Sequence, residues 1–169
     1  MSSLWPSLQD WVWALYIILP VYCTNGAPVI FGGGRPIDSG KSLSDGQRVF
    51  GDHKTTRGFV SGLIAGFIGG AFEAVFFYPN LLIVAILASI GALLGDLAGA
   101  FLKRRLKITP GGSLPVLDQL DFVLGAMLLV SPLVSLSLGT AAILLLVTPP
   151  IHILTNVAAH ALRLKSTYW

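Results

Sequence analysis

The eleven Lys and Arg residues of this 169-residue chain fall into three short clusters, and nearly charge-free apolar runs separate the clusters. Five lie in residues 35–57, four in residues 103–107, and two are Arg163 and Lys165. A membrane protein gathers its basic residues on the cytoplasmic side, so each cluster marks a point where the chain meets the cytosol. With the N-terminus outside, three inner clusters require an odd number of crossings. About five crossings fit the length, whereas four would strand Arg163 and Lys165 on the outer face.

Only 11% of the residues are charged, against about a quarter in ordinary soluble domains. The chain therefore reads as a single all-α integral membrane domain in the cell membrane. Spans of about 20 residues cross a hydrocarbon core roughly 30 Å thick. They are expected at about 8–30, 59–78, 81–102, 119–134 and 138–163, with the C-terminus inside. Two large cytoplasmic loops follow, 31–58 and 103–118. Pro79-Asn80 gives a tight turn, and Ser131-Pro132 with Ser135, Ser137 and Gly139 breaks the uncharged run of residues 122–162. Pro149-Pro150 is expected to kink the fifth helix or shift its start. The fourth span is the shortest, with about 13 to 17 residues before the break, which leaves open whether it crosses fully.

The first helix is expected to be retained. It lacks a basic n-region, and Pro20-Val21-Tyr22 is a poor cleavage site. Trp5, Trp11, Trp13 and Tyr16 resemble an interfacial aromatic belt. Cys23 is the only cysteine, which excludes an internal disulfide. Glycine recurs every fourth residue at Gly58, Gly62, Gly66 and Gly70, and again at Gly91, Gly95 and Gly99. Such stripes let helix backbones approach closely. Glu73, toward the outer half of the second helix, reads as an interhelical or snorkelling carboxylate.

The polar chemistry lies near the basic clusters. The first loop contains Gly32-Gly33-Gly34-Arg35-Pro36-Ile37-Asp38 and Gly51-Asp52-His53-Lys54-Thr55-Thr56-Arg57-Gly58. Glycine amides can approach phosphate oxygens, and Lys54 and Arg57 can neutralise them. A positive-inside loop touching lipid headgroups has the same composition. The spacing from Gly34 to Lys41 is not that of a Walker A loop. Asp96 lies inside a helix near the membrane boundary, two turns before Lys103-Arg104-Arg105. Asp118 and Asp121 share a face at the start of the fourth helix. Three carboxylates beside a basic patch suit Mg²⁺ shared with phosphate oxygens. Capping accounts equally for Asp118 or Asp121, but not for an ionisable group inside a helix such as Asp96.

These motifs carry a resemblance. Gly95-Asp96, Lys103-Arg104, the Pro110-Gly111-Gly112 turn and Asp118-Gln119-Leu120-Asp121 resemble the C-terminal signature of CTP:phosphatidate cytidylyltransferases. The small size, the Gly-Gly-Gly-x-Pro-x-Asp loop, Gly-Asp-x-Lys-Thr-x-Arg-Gly and Asp-Gln-Leu-Asp-Phe look closer still to their archaeal relatives, the CDP-archaeol synthases. The resemblance covers nearly the whole chain. Ala100 stands where the bacterial pattern has a serine and Gln119 where it has an arginine, and its turn histidine has no clear counterpart. His53 and Thr56 replace a usual glycine and tryptophan of the archaeal pattern.

The resemblance implies transfer of CMP from CTP to the phosphate of 2,3-bis-O-geranylgeranylglycerol 1-phosphate, with release of pyrophosphate. The attacking phosphate is already an anion, so His53 is not needed as a base. Asp96, Asp121 and Asp118 are the expected Mg²⁺ ligands, and Asp96, Asp121, Lys103 and Lys54 the expected catalytic set. Gly51, Lys54, Arg57, Lys103, Arg104 and Lys41 are expected around the nucleotide. Asn25, Asp38, Arg48 and Asn156 are expected to contact substrate, with His152 and His160 nearby. The expected partners are CTP, an isoprenoid glycerol-phosphate lipid and the membrane, with no nucleic acid and no obligate protein partner. The site is expected to face the cytoplasm. Two rivals fit less well. A CDP-alcohol phosphotransferase would carry Asp-x-x-Asp-Gly-x-x-Ala-Arg, which is missing. A small cation or proton transporter would place its polar groups at the bilayer midplane.

Overall fold

The computed structural model describes residues 6–109 and 112–165. Trp5 and the Pro110-Gly111 half of the second-loop turn lie outside the described residues. Five helices account for most of the rest: α1 (Leu8–Phe31), α2 (Thr56–Phe76), α3 (Leu81–Arg105), α4 (Leu117–Val130) and α5 (Leu138–Ala161). All except α4 are long and apolar enough to cross a membrane. At 14 residues, α4 rises about 21 Å, less than the hydrocarbon thickness. The expected helix over 119–134 therefore starts earlier and stops sooner.

Local sequence explains the ends. Ser7 and Asp10 form a capping box at the start of α1. The side chain of Thr55 accepts the Gly58 amide at 3.1 Å, so α2 begins ahead of the expected residue 59. Phe76 and Leu81 bracket the turn at Pro79-Asn80, as anticipated. α5 runs unbroken through Pro149 and Pro150, so the prolines do not shift its start. Its N-terminus is tied to that of α1, because Asp10 accepts hydrogen bonds from Ser137 and Thr140.

The two glycine stripes bind different neighbours. A Cβ on Gly62 would stand 2.8 Å from the Thr24 carbonyl of α1, and one on Gly66 2.8 Å from Ser89 Cβ of α3. α2 is thereby wedged between α1 and α3. The second stripe faces α4: a Cβ on Gly91 would stand 2.8 Å from Ala126 Cα, and one on Gly95 2.9 Å from the Asp121 carbonyl carbon. Glycine thus brings the α4 backbone onto α3 at the level of the aspartates. Ile17, Val21, Phe122, Val123, Val130 and Leu144 fill the core among α1, α4 and α5. Of the two readings, interhelical or snorkelling, Glu73 shows the interhelical one. It is 3% exposed, its Oε2 makes no hydrogen bond, and it is held among helices instead of reaching an interface.

Candidate active site

The first loop is an ordered body. Gly33, Gly34, Gly40, Gly46 and Gly51 all take positive φ, which glycine adopts without the Cβ clash. The chain turns back on itself, with Ile37 donating to Lys54 O and Thr56 to Arg35 O at 2.8 and 3.1 Å. At its centre, Asp38 accepts the amides of Gly40, Phe50 and Gly51 and two guanidinium nitrogens of Arg48. Burial would raise its pKa, but the Arg48 guanidinium and the three amides together hold it well below the usual carboxylate range. Asp38, expected to contact substrate, is in this structure bonded to loop amides and to Arg48, and so holds the loop together. Arg48 bonds Asp38 and also Asp52, at 2.7 Å, and serves the same scaffold.

α3 anchors this loop from its C-terminal end. Arg105 pairs with Asp45 at 2.5 Å, donates to the Gln47 and Arg48 carbonyls at 3.2 and 2.6 Å, and lies 5.1 Å over the Phe101 ring. Arg104 is buried beside Gly51, where a Cβ would stand 3.8 Å from its Cδ. These contacts bring Lys54 to α3. Its Nζ lies 2.6 Å from both carboxylate oxygens of Asp96. A recess with ≈ 320 Å³ of empty space opens beside the pair, lined by His53, Lys54, Thr55, Gly58 and Asp96 among others.

On the other side of Asp96 stands α4. Asp121 is buried, and its Oδ1 accepts the Phe122 amide at 2.7 Å. The bare Cα of Gly99 leaves room for Oδ2. Asp121 lies within electrostatic reach of Asp96, Lys54 and Asp118. Asp118 accepts the Leu114 amide at 2.9 Å, and its Oδ1 lies 2.7 Å from Lys103 Nζ. Neither aspartate caps α4, whose N-cap is Val116 without a side-chain bond. Asp118, in the first turn of α4, still meets the helix dipole.

The expected set thus meets around one junction of α3, α4 and the first loop: Asp96, Asp118, Asp121, Lys54, Lys103, Arg104 and Gly51. Lys41 and Arg57 are exposed, Arg57 in the first turn of α2. Asn25 is half-buried on α1, next to Thr24. Asn156 is buried on α5, against His152 at 3.1 Å. It lines a second recess with Asp118, Gln119 and His152. The sequence reading missed the Lys54–Asp96 contact and the Arg105 anchor, because both join segments distant in the chain.

The donor chemistry suits a hard divalent cation, which takes oxygen ligands. Asp118 Oδ1 is a buried oxygen with no hydrogen bond, although Lys103 stands near it. Among the described residues, no three His, Cys, Asp or Glu side chains are grouped closely enough to hold a metal as they stand. Asp96 and Asp118 are instead engaged by lysines.

Known proteins share this architecture. A CDP-archaeol synthase from Pyrococcus furiosus is 45% identical over 161 residues, covering 92% of this chain and 96% of that protein. Another from Methanococcus aeolicus is 40% identical over 165 residues, covering 90% and 93%. A solved structure, described as an intramembrane enzyme for archaeal membrane lipids biosynthesis, superposes with a TM-score of 0.82 at 37% identity. It covers 86% of this chain and 94% of the solved one. The profile of the CarS-like family, CDP-archaeol synthase, matches residues 8–169. The chain belongs to the CDP-archaeol synthase family.

Proposed function

We propose that the protein transfers CMP from CTP to 2,3-bis-O-geranylgeranylglycerol 1-phosphate, forming CDP-archaeol and pyrophosphate. The observation that carries this reading is the junction itself. Lys54 Nζ touches both oxygens of Asp96 at 2.6 Å, and Asp121 is buried within their electrostatic reach. A cluster of cations and carboxylates at the ends of apolar helices is suited to join a charged nucleotide to a lipid phosphate.

In this reading a phosphate oxygen of the lipid attacks the α-phosphorus of CTP in line. The bond from the α-phosphorus to the bridging oxygen breaks, and that oxygen leaves with pyrophosphate. No protein nucleophile or base is needed, because the acceptor is an anion. Lys54, Lys103 and Arg104 offset the charge of the two converging phosphate groups. With Lys54 and Lys103 drawn from Asp96 and Asp118 to phosphate, Asp96, Asp121 and Asp118 would close up to hold Mg²⁺, which would supply charge neutralisation. The ordered first loop fixes Lys54, so positioning contributes before chemistry begins. Five passes, an outer N-terminus, an inner C-terminus and a cytoplasm-facing site fit the three basic clusters. The incomplete length of α4 is compatible with a site sunk below the membrane surface.

The test uses purified protein in lipid vesicles with Mg²⁺, labelled CTP and the geranylgeranyl ether-lipid phosphate. Pyrophosphate release that requires the lipid phosphate, with label appearing in the lipid, is the expected result. Lys54→Ala should lower kcat/KM about 100-fold in the same assay. Ion flux across sealed vesicles without turnover would favour a transporter instead.

A further inference from the structure

The third basic cluster served above only as a topological marker, yet its fold returns one lysine to the site. α5 ends at Ala161, and Arg163 then takes a left-handed conformation with φ of 60°. A residue with a Cβ adopts that region at a cost unless its surroundings enforce it. Here two backbone bonds do so: Arg163 N–H donates to His160 O and Leu164 N–H to Ala159 O, both at 2.9 Å. The reversal sends Lys165 back along α5, where its Nζ donates to Asn156 Oδ1 at 2.7 Å. His160 Nδ1 lies 3.1 Å from the Lys165 carbonyl and secures the same turn.

Asn156 also lines the open recess between α4 and α5, bordered by Ser113, Asp118, Gln119 and His152. Lys165 lies within electrostatic reach of Asp118, Lys54 and Lys103. Burial depresses its pKa, Asp118 opposes that shift, and the charges of Lys54 and Lys103 add to it. Lys165 adds an ammonium group within reach of those of Lys54 and Lys103, and such groups donate to phosphate oxygens.

We propose that Lys165, folded back onto Asn156, is a further phosphate-binding cation of the site, beside Lys54, Lys103 and Arg104, and receives a phosphate group in the recess between α4 and α5. The proposal rests on the CMP-transfer reading, because that reaction brings two phosphate-bearing substrates to one centre. The shared chemistry is a phosphate oxyanion, supplied either by the monoester of the ether lipid or by the triphosphate of CTP.

The experiment compares the full-length wild type with Lys165→Gln and Lys165→Arg in vesicles. CTP is varied at saturating lipid phosphate, then the lipid phosphate at saturating CTP, and equilibrium binding of each is measured alongside. Lys165→Gln is expected to weaken one phosphate-bearing substrate about 10- to 100-fold, with the melting temperature retained and the loss largely recovered in Lys165→Arg. A rise in KM for the lipid assigns the monoester, and a rise for CTP assigns the triphosphate. Binding and kcat/KM within twofold of wild type for both substrates would overturn the proposal. So would a loss that tracks lowered melting temperature and is not recovered by arginine. A wild type that binds phosphate through Lys165 without turnover would reject the reaction and leave this phosphate site standing.

Discussion

The carboxylate of Asp121 occupies the space that a side chain on Gly99 would need: a Cβ there would overlap Oδ2 and stand 2.9 Å from Cγ. The glycine stripe of α3 is therefore both a packing surface for α4 and the seat of a buried carboxylate. Gly99→Ala should destabilise the fold by about 1–3 kcal/mol through overpacking. It should also lower turnover per folded molecule about 100-fold by displacing Asp121. Gly91→Ala meets the α4 backbone away from the aspartates and should cost similar stability with little loss of turnover. Thermal unfolding and single-turnover CMP transfer on the two variants check this. Equal losses in both would reduce Gly99 to packing alone.

Asp38 sets a pH dependence for the first loop. Its folded-state pKa is depressed below the unfolded value of about 3.9. Its stabilising contribution is thus present above that value and lost as pH falls through the folded-state one. Loop protection against proteolysis should persist to moderately acid pH in the wild type. Asp38→Asn should expose the loop at neutral pH, since stranded amides each cost about 1–3 kcal/mol. It should also flatten the acid dependence. Limited proteolysis against pH measures both effects.

Arg105 and Asp45 hold the loop against α3 at a partly exposed position. Their coupling in a double-mutant cycle should be about 0.5–1 kcal/mol. Arg105→Ala should nevertheless cost more than Asp45→Ala, because it also abandons the Gln47 and Arg48 carbonyls and the face of Phe101. Hydrogen exchange of the loop amides, together with denaturant unfolding, would resolve the difference. Equal effects would confine the anchor to the ion pair.

Much of this arrangement was legible in the residues. Apolar length located the helices, Pro79-Asn80 and Ser131-Pro132 located turns, and an ionisable Asp96 inside a helix marked the candidate site. Other features were not. Within the break from Ser131 to Gly139, the residues alone do not fix whether α4 ends before Pro132, as it does, or runs on to residue 134. Asp38 and Asp96 are both single carboxylates near glycine and basic residues. Only the fold shows that one is consumed by loop amides and Arg48 while the other meets Lys54. Glu73 was open to snorkelling until helix packing enclosed it. Lys165 lies far along the chain from Asp118, and a left-handed turn at Arg163 is not a signal that an arginine carries by itself.

The central claim is that Asp96 and Asp121 act together on CMP transfer, and its most direct measurement is turnover in Asp96→Asn and Asp121→Asn beside the wild type. Each variant keeps the shape and one acceptor oxygen while removing a negative charge. Lipid-dependent formation of labelled CDP-lipid should fall at least about 100-fold in each, with melting temperatures near that of the wild type. Two well-folded variants that form product at wild-type rates would contradict the account.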